Sequence, residues 1–464
     1  MSEIFKGKGI PLCLLQILLG GICLGASVPE ELSLDGALKK AYANNRTIQQ
    51  KRLALSTAKL NYDDSWDLMF LPTVALQMTS KSELTMGRLP FGNSAATQAG
   101  DASGAHGFPT SSVALNLGQY TLFNFWKDQI VFEQAKLNYE REKERLNEVE
   151  RQVRFQITNE YFRLKTEQDK LDASRRSVGI SEAIVNLVKS RVRIGKATET
   201  DVASSNVDLL NAKNQFNAQV ASVSTEQRNL NILLADPIDS VYLLKTGLQY
   251  APLRIGYEDA LKIYYENAPT MKDQRLTLKI GDYALELAEK NRLPLPTVTI
   301  SGVAVTYNSS YYADNNTPGT TASTSGNIDL GAALSLTLPL YGPGGMFNGR
   351  NVTRARITRD LNEVNYQLVA ATDQGTITTD IVQIRNAEVT IKNQTEAFKQ
   401  NAQVLDSLFG EMNKREVNRL ELRDAISSAR QSDLDLKDAV LNHLSTKLGL
   451  AQLLGVDHLP GDPY

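Results

Sequence analysis

The sequence predicts a mainly α-helical protein with a small β part, built from an internal duplication. Three observations carry that prediction. Residues 123–192 make one uninterrupted helical stretch with no proline and Gly179 as its only glycine. The helix that follows carries Val202, Leu209, Phe216, Val223 and Leu230. One apolar residue in seven is a coiled-coil seam, not the broader stripe of a surface helix. The order of elements in the first half then recurs in the second. A helix over 123–192 is roughly 105 Å long at the α-helical rise, more than a compact globular domain needs.

The 464 residues carry a net charge of −2 with 22% charged side chains, which argues against a nucleic-acid partner held by bulk charge. The chain begins with Lys6 and Lys8 ahead of an apolar run from Ile10 to Ile22, then Gly25, Ala26 and Ser27. Residues 1–27 read as a secretory signal peptide, too short to span a membrane, cleaved after Ala26 or Ser27. Both cysteines, Cys13 and Cys23, lie inside it, so the remaining chain has no disulfide or thiol chemistry. Ile22, where a lipoprotein signal needs a small residue, argues against a lipid on Cys23.

The first repeat is expected over 28–236. Ser33 or Asp35 can cap a helix running to about Trp66. After Pro72 the pattern alternates, with Val74, Leu76 and Met78 on one face, as in a strand. Residues 84–112, rich in Gly, Ala, Ser and Thr, read as a loop, and alternation resumes at Val113, Leu115 and Leu117 before the long helix. A turn at Arg193–Asp201 leads into a return helix that stops at Asp236-Pro237. A linker over 237–256 precedes the second repeat, 257–456, and a C-terminal tail, 457–464. Leu450-Ala451-Gln452-Leu453-Leu454 near the end of the second repeat echoes Leu230-Asn231-Ile232-Leu233-Leu234 near the end of the first. A repeat this long is a duplicated unit, not a solenoid of short repeats. In the first half the short helices 35–66 and 199–235 together match the length of the long one. Two short rods stacked end to end therefore fit beside one long rod.

Four strands are expected. In the last, Ile328, Leu330, Ala332, Leu334, Leu336 and Leu338 share one face and polar or small residues the other. An apolar outside and a polar inside is the pattern of a membrane barrel, although a half-buried sheet on a soluble core gives a similar one. The third strand, Thr297 to Tyr307, changes face near Gly302, as at a bulge. Four strands cannot close a barrel, and open edges are not tolerated in lipid. Either the chain oligomerises or it does not cross a membrane.

The whole plan resembles the TolC-like outer-membrane factors, the outer membrane efflux protein family. The resemblance rests on the duplicated order, Leu71-Pro72-Thr73-Val74 and Leu295-Pro296-Thr297-Val298 ahead of strands, the passages Leu117–Phe123 and Leu338–Gly345, and Arg191-Val192-Arg193-Ile194-Gly195 followed by Asp201. It implies a homotrimeric outer-membrane β-barrel, four strands per chain, on a long α-helical coiled-coil barrel in the periplasm. It implies the exit duct of a tripartite efflux pump or type I secretion system, with a periplasmic adaptor, an inner-membrane transporter and outer-membrane lipid as partners. The strand-connecting loops 84–112 and 308–326 then face outside the cell.

The same resemblance directs attention to the two helix turns. Arg193, Gly195, Lys196, Thr198, Glu199 and Asp201 either punctuate the helices or dock an adaptor. Their counterparts in the second half are Arg415, Glu416 and Asn418, with arginine replacing the turn glycine. Glu421 and Asp424, three apart on one helical face, match the acidic pair that rings the tunnel entrance in TolC-like proteins; the alternative is a solvated face.

Catalysis is not expected, and neither is a cofactor. The three histidines, His106, His443 and His458, form no ligand cluster, and His443 keeps register with the seam at Leu422, Ala429, Leu436 and Leu450. Gly342-Pro343-Gly344-Gly345 lacks the downstream lysine of a phosphate loop and reads as a turn. The rival from another class is a secreted trimeric coiled-coil fibre, which explains the signal peptide and heptads but not four strands in two pairs.

Overall fold

The computed structural model describes residues 30–72, 74–81, 110–118, 120–312, 323–342, 346–411 and 419–463. The expected signal peptide with Cys13 and Cys23, most of the 84–112 loop with His106, and the turn residues Arg415, Glu416 and Asn418 lie outside them.

Two rods dominate, α3 (Lys127–Arg193) with 67 residues and α7 (Arg350–Glu411) with 62. Each turns into a return helix, α4 (Glu199–Leu234) or α8 (Arg419–Leu454). The helix expected over 35–66 is two helices, α1 (Leu34–Asn44) and α2 (Arg46–Phe70). Asn45 breaks them. Its Oδ1 accepts from the N–H groups of Thr47 and Ile48 at 2.9 and 3.3 Å, and its Nδ2 donates to the Leu233 carbonyl at 2.8 Å. One side chain thus caps the start of α2 and ties it to the end of α4. The single helix expected over 257–291 is likewise α5 (Tyr257–Asn267) and α6 (Pro269–Arg292), with Pro269 at the first helical turn, where its missing N–H costs nothing. Of the two capping candidates for α1, Ser33 is the cap, accepting from Gly36 N–H at 3.1 Å.

α2 and α4 both pack on α3; α6 and α8 pack on both α3 and α7. The rods form one layer in the order α2/α4, α3, α6/α8, α7. The heptad residues Val202, Leu209, Phe216 and Val223 are half-buried and Leu230 is fully buried, so that seam is the one that meets α3.

At mid-height a belt of short elements wraps the rods. β1 (Glu30–Leu32) pairs in parallel with β5 (Tyr242–Leu244), so the expected linker contributes a strand. Tyr161 of α3 holds both, donating to the Leu32 carbonyl at 2.8 Å and accepting from Thr246 N–H at 3.0 Å. Lys40 bonds Asp236 at 2.8 Å and Tyr242 Oη at 3.1 Å, fixing α1 to the linker. The main apolar core lies here, where Phe162, Leu230, Tyr264, Ile377, Ile384 and Leu450 are buried together. The expected tail is part of this core: Leu459 is buried, and Asp462 pairs with Lys447 of α8 at 2.9 Å. His443 is buried as its register predicted, against the ring of Tyr250 from the linker.

Glu160 of α3 is buried in the same region beside Glu226 of α4. Burial first, then the neighbouring carboxyl, push its pKa up to about 7. The folded chain therefore holds this proton more tightly than the unfolded chain, and stability is lost as pH rises from 4.5 toward 7. Glu160→Gln is expected to raise stability by about 2 kcal/mol at about pH 8 and to change it little at about pH 4. Urea unfolding at the two pH values checks this; an equal shift at both points to packing instead.

The other described strands form one antiparallel sheet. β2 (Val74–Lys81) pairs with β3 (Thr110–Leu117), which pairs with β6 (Thr297–Tyr312), which pairs with β7 (Ser323–Thr337). A short β4 (Tyr120–Phe123), at the start of the expected long helix, continues β3 along β6. The β6–β7 register slips between Ser301 and Ala304, at the glycine where the apolar face changes. The ladders also run past the expected loop limits, from Thr110 in β3, to Tyr312 in β6 and from Ser323 in β7. Serine, threonine and asparagine there look like loop composition, but backbone pairing does not depend on apolar side chains. Val74, Leu76 and Met78 on β2 and Leu334 and Leu336 on β7 are exposed, each set at alternate positions. On the other face Thr299 is buried and shares a 2.6 Å hydrogen bond with Ser335.

Candidate functional site at the helix turns

The first turn is built from its backbone outward. α3 ends at Arg193, and Gly195 takes φ +71°. Lys196 N–H then reaches the Arg191 carbonyl at 2.8 Å and Gly195 N–H the Val192 carbonyl at 3.0 Å, the paired bonds of a Schellman motif. Only glycine adopts that φ without cost, and a Cβ there would meet nothing within 4 Å, so the glycine serves the backbone and not packing. Thr198 and Asp201 form a capping box. Thr198 N–H donates to Asp201 Oδ2 at 2.9 Å, and Asp201 N–H donates to Thr198 Oγ1 at 3.3 Å. Glu199 follows in the first turn of α4, where the helix dipole favours it.

Arg193, Gly195, Lys196, Thr198 and Glu199 are exposed or half-buried around this turn, and Asp201 is half-buried by its cap. Ile194, which the expected set omitted, is 68% exposed at the same point. An apolar side chain at the apex, ringed by Arg193, Lys196 and Glu199, is a surface that can bury against another protein.

Glu421 and Asp424 lie in the first turns of α8, both exposed, while Leu422 between them is buried against Leu408 and Ile184. The pair thus faces away from the seam. Their environments differ, however. Arg423 Nε and Nη2 lie 3.0 and 2.9 Å from Asp424 Oδ1, and Arg423 Nη1 lies 4.0 Å from Asp208 of α4. Asp424 is 66% exposed and is paired with the arginine beside it, whereas Glu421 has no such partner among the described residues. Arg423 stands in the sequence between the two acids; what could not be read there is that it turns toward Asp424 and Asp208, linking α8 to α4. Further along α8, Arg430 donates to Gln215 of α4 and keeps a buried Nε without a partner; burial lowers its pKa.

Among the described residues no group of three or more His, Cys, Asp or Glu is placed to hold a metal ion. No helix among them is long and apolar enough to cross a membrane.

The profile of a protein family described as outer membrane efflux protein matches residues 37–235, which contain the first turn and both its rods. Over these residues the chain is similar to the outer membrane efflux protein family. Solved structures agree in fold. The Campylobacter jejuni CmeC outer membrane channel superposes with a TM-score of 0.69 at 15% identity, covering 92% of this chain and 87% of that one. The open-state Neisseria gonorrhoeae MtrE outer membrane channel gives 0.68 at 16% identity, covering 91% and 89%. The Vibrio cholerae outer membrane protein VceC gives 0.67 at 16% identity, covering 91% and 96%. No curated protein sequence is significantly similar to the chain. The family so matched is one of outer membrane efflux proteins, and the match covers the first long rod, its turn and its return helix.

Proposed function

We propose that three copies of the chain close into one duct, a barrel in outer-membrane lipid above a helical tunnel in the periplasm. The observation that carries this reading is a layer of rods with two unpartnered apolar edges. On α7, Ile357, Leu361, Val364 and Leu368 follow heptad spacing and are each more than half exposed. On the opposite edge Leu53 and Leu60 of α2, seven apart, and Val207 and Leu210 of α4 are equally exposed. Two different edges that each need a cover make a head-to-tail contact, which closes into a ring. The sheet supports the same reading. Its outer strands β2 and β7 each lack a second neighbour among the described residues, and their exposed apolar residues suit lipid. The two halves, 28–236 and 257–456, supply the same run of rods and strands, as a duplicated unit does.

In this reading the turn Arg193–Asp201, with Ile194 at its apex, docks a periplasmic adaptor that links the duct to an inner-membrane transporter. Arg415, Glu416 and Asn418 serve the second turn. Glu421 and Asp424 ring the periplasmic entrance and favour cations. Because Arg423 offsets Asp424, Glu421 contributes most of that preference.

Reconstitution in planar bilayers tests the proposal. Wild-type chain is expected to form cation-selective pores, and Glu421→Ala with Asp424→Ala to lose most of that selectivity, with Glu421→Ala alone accounting for the larger part. The variant should still migrate as an SDS-resistant trimer, since the acids belong neither to the α7 and α2/α4 edges nor to the seam inside the chain at Leu422. Wild-type selectivity in an intact trimeric variant would make the acids a solvated face; absence of any trimer in the wild type would remove the duct.

A further inference from the structure

A cavity of about 600 Å³ opens where the end of α8 meets the start of α6. It exists because two rods are stacked there with a joint between them. α6 begins at Pro269, and Gly449 of α8 presents no side chain to fill the gap; a Cβ built on it meets nothing within 4 Å. Val149, Pro269, Val369 and Leu453 give the cavity apolar walls. Its size and mostly apolar lining with a few charged groups are those of small-molecule sites.

The charges at this cavity are not balanced. Six ionisable side chains line it: Glu144, Glu148, Asp273 and Asp380 against Lys51 and Arg145. Arg145 is held by Asp273 at 2.8 Å and by Glu142 at 2.8 Å, and Glu148 is held by Arg151 at 2.7 Å. Glu144, Asp380 and Lys51 then remain, two acids to one base, and the side chains of Glu144 and Asp380 make no hydrogen bond or ion pair among the described residues. Burial alone raises the pKa of Asp380, with no neighbouring charge to offset it. None of these groups belongs to the exposed α7 seam or to the helix turns.

We propose that this cavity binds an apolar organic cation, with its hydrocarbon body against Val149, Val369 and Leu453 and its charge beside Asp380. A neutral apolar molecule fills the walls but leaves Asp380 uncompensated, and an anion meets two free carboxylates. Only a cation with a large apolar surface satisfies both parts of the lining.

Calorimetric titration of the detergent-solubilised full chain with tetraphenylphosphonium tests this. One saturable site per chain is expected. Asp380→Asn should weaken binding at least tenfold, Val369→Trp should abolish it by filling the space, and tetraphenylborate, equal in shape and opposite in charge, should bind at least tenfold more weakly than the phosphonium. Far-UV circular dichroism shows whether each variant is folded; if Val369→Trp is not, Asp380→Asn decides alone. Unchanged affinity in folded Asp380→Asn, equal binding of the borate, or no saturable binding to wild type each overturns the proposal. Bilayer conductance of the same preparation is independent of these titrations, so failure of the site and failure of the duct are told apart.

Discussion

Gly455→Ala is expected to destabilise the chain by about 3 kcal/mol, from left-handed strain and overpacking together. Gly455 follows α8 at φ +71°, and a Cβ there would stand 2.4 Å from the Asn267 carbonyl oxygen and 2.8 Å from Pro269 Cδ. Both obstacles are fixed, one backbone and one ring, at the joint where α5 gives way to α6. Neither can retreat without opening the stack of α8 on α6. The corresponding position in the first repeat gives the control. Ala235 ends α4 at φ 57°, so a Cβ is accommodated there and only the strain remains. Ala235→Gly is accordingly expected to stabilise by about 1 kcal/mol. Guanidinium unfolding of the detergent-solubilised protein measures both. If Gly455→Ala costs no more than the strain alone, the two joints are not as tightly closed as described.

Lys447→Ala is expected to cost about 3–5 kcal/mol, the penalty for leaving one member of a buried ion pair uncompensated. Lys447 and Asp462 are 3% and 5% exposed and 2.9 Å apart, and Lys447 Nζ also donates to the Ala251 carbonyl at 2.8 Å. The lysine thus joins α8, the linker and the tail at one point. Lys447→Met combined with Asp462→Leu should recover much of the loss, because an apolar pair needs no compensation. Thermal unfolding reads the stability, and limited proteolysis reads whether residues 457–463 come loose in the single variant. A double variant as weak as the single one would show that shape, not charge, holds the tail.

The rods were legible because a heptad repeats its instruction many times. Val202 through Leu230 gives the same message five times over, and no single exception can hide it. The breaks inside the short helices were not, because each depends on one residue acting at a distance. Asn45 caps α2 locally, but what anchors it at the break is the carbonyl of Leu233, far along the chain. Pro269 did carry a local signal, yet a proline in the first turn of a helix continues the same apolar pattern that precedes it. The tail looked like an end because Asp457 to Pro463 is polar and short; its place against the core rests on Leu459, on Lys447 with Asp462, and on Arg151 and Arg154 of α3, which hold Asp457 and His458. Glu421 and Asp424 near the start of α8 were visible in the sequence, but the orientation of Arg423 between them is a rotamer, and sequence does not specify one.

The parallel pairing of β1 with β5 sets an order on folding. Synthesis runs from the N-terminus, yet Leu34 N–H bonds Thr246, far later in the chain, and Leu32 waits for the same segment. The first residues of the described chain are therefore the last of their half to be secured, since closing so large a loop is slow. The apolar face of α1 is covered by α3 and α4 of the same half. The belt is finished later still, when Asp462 arrives and finds Lys447. Without Asp462 the rods keep their own packing, but the buried Lys447 loses the carboxylate that fastens the last described residues to α8.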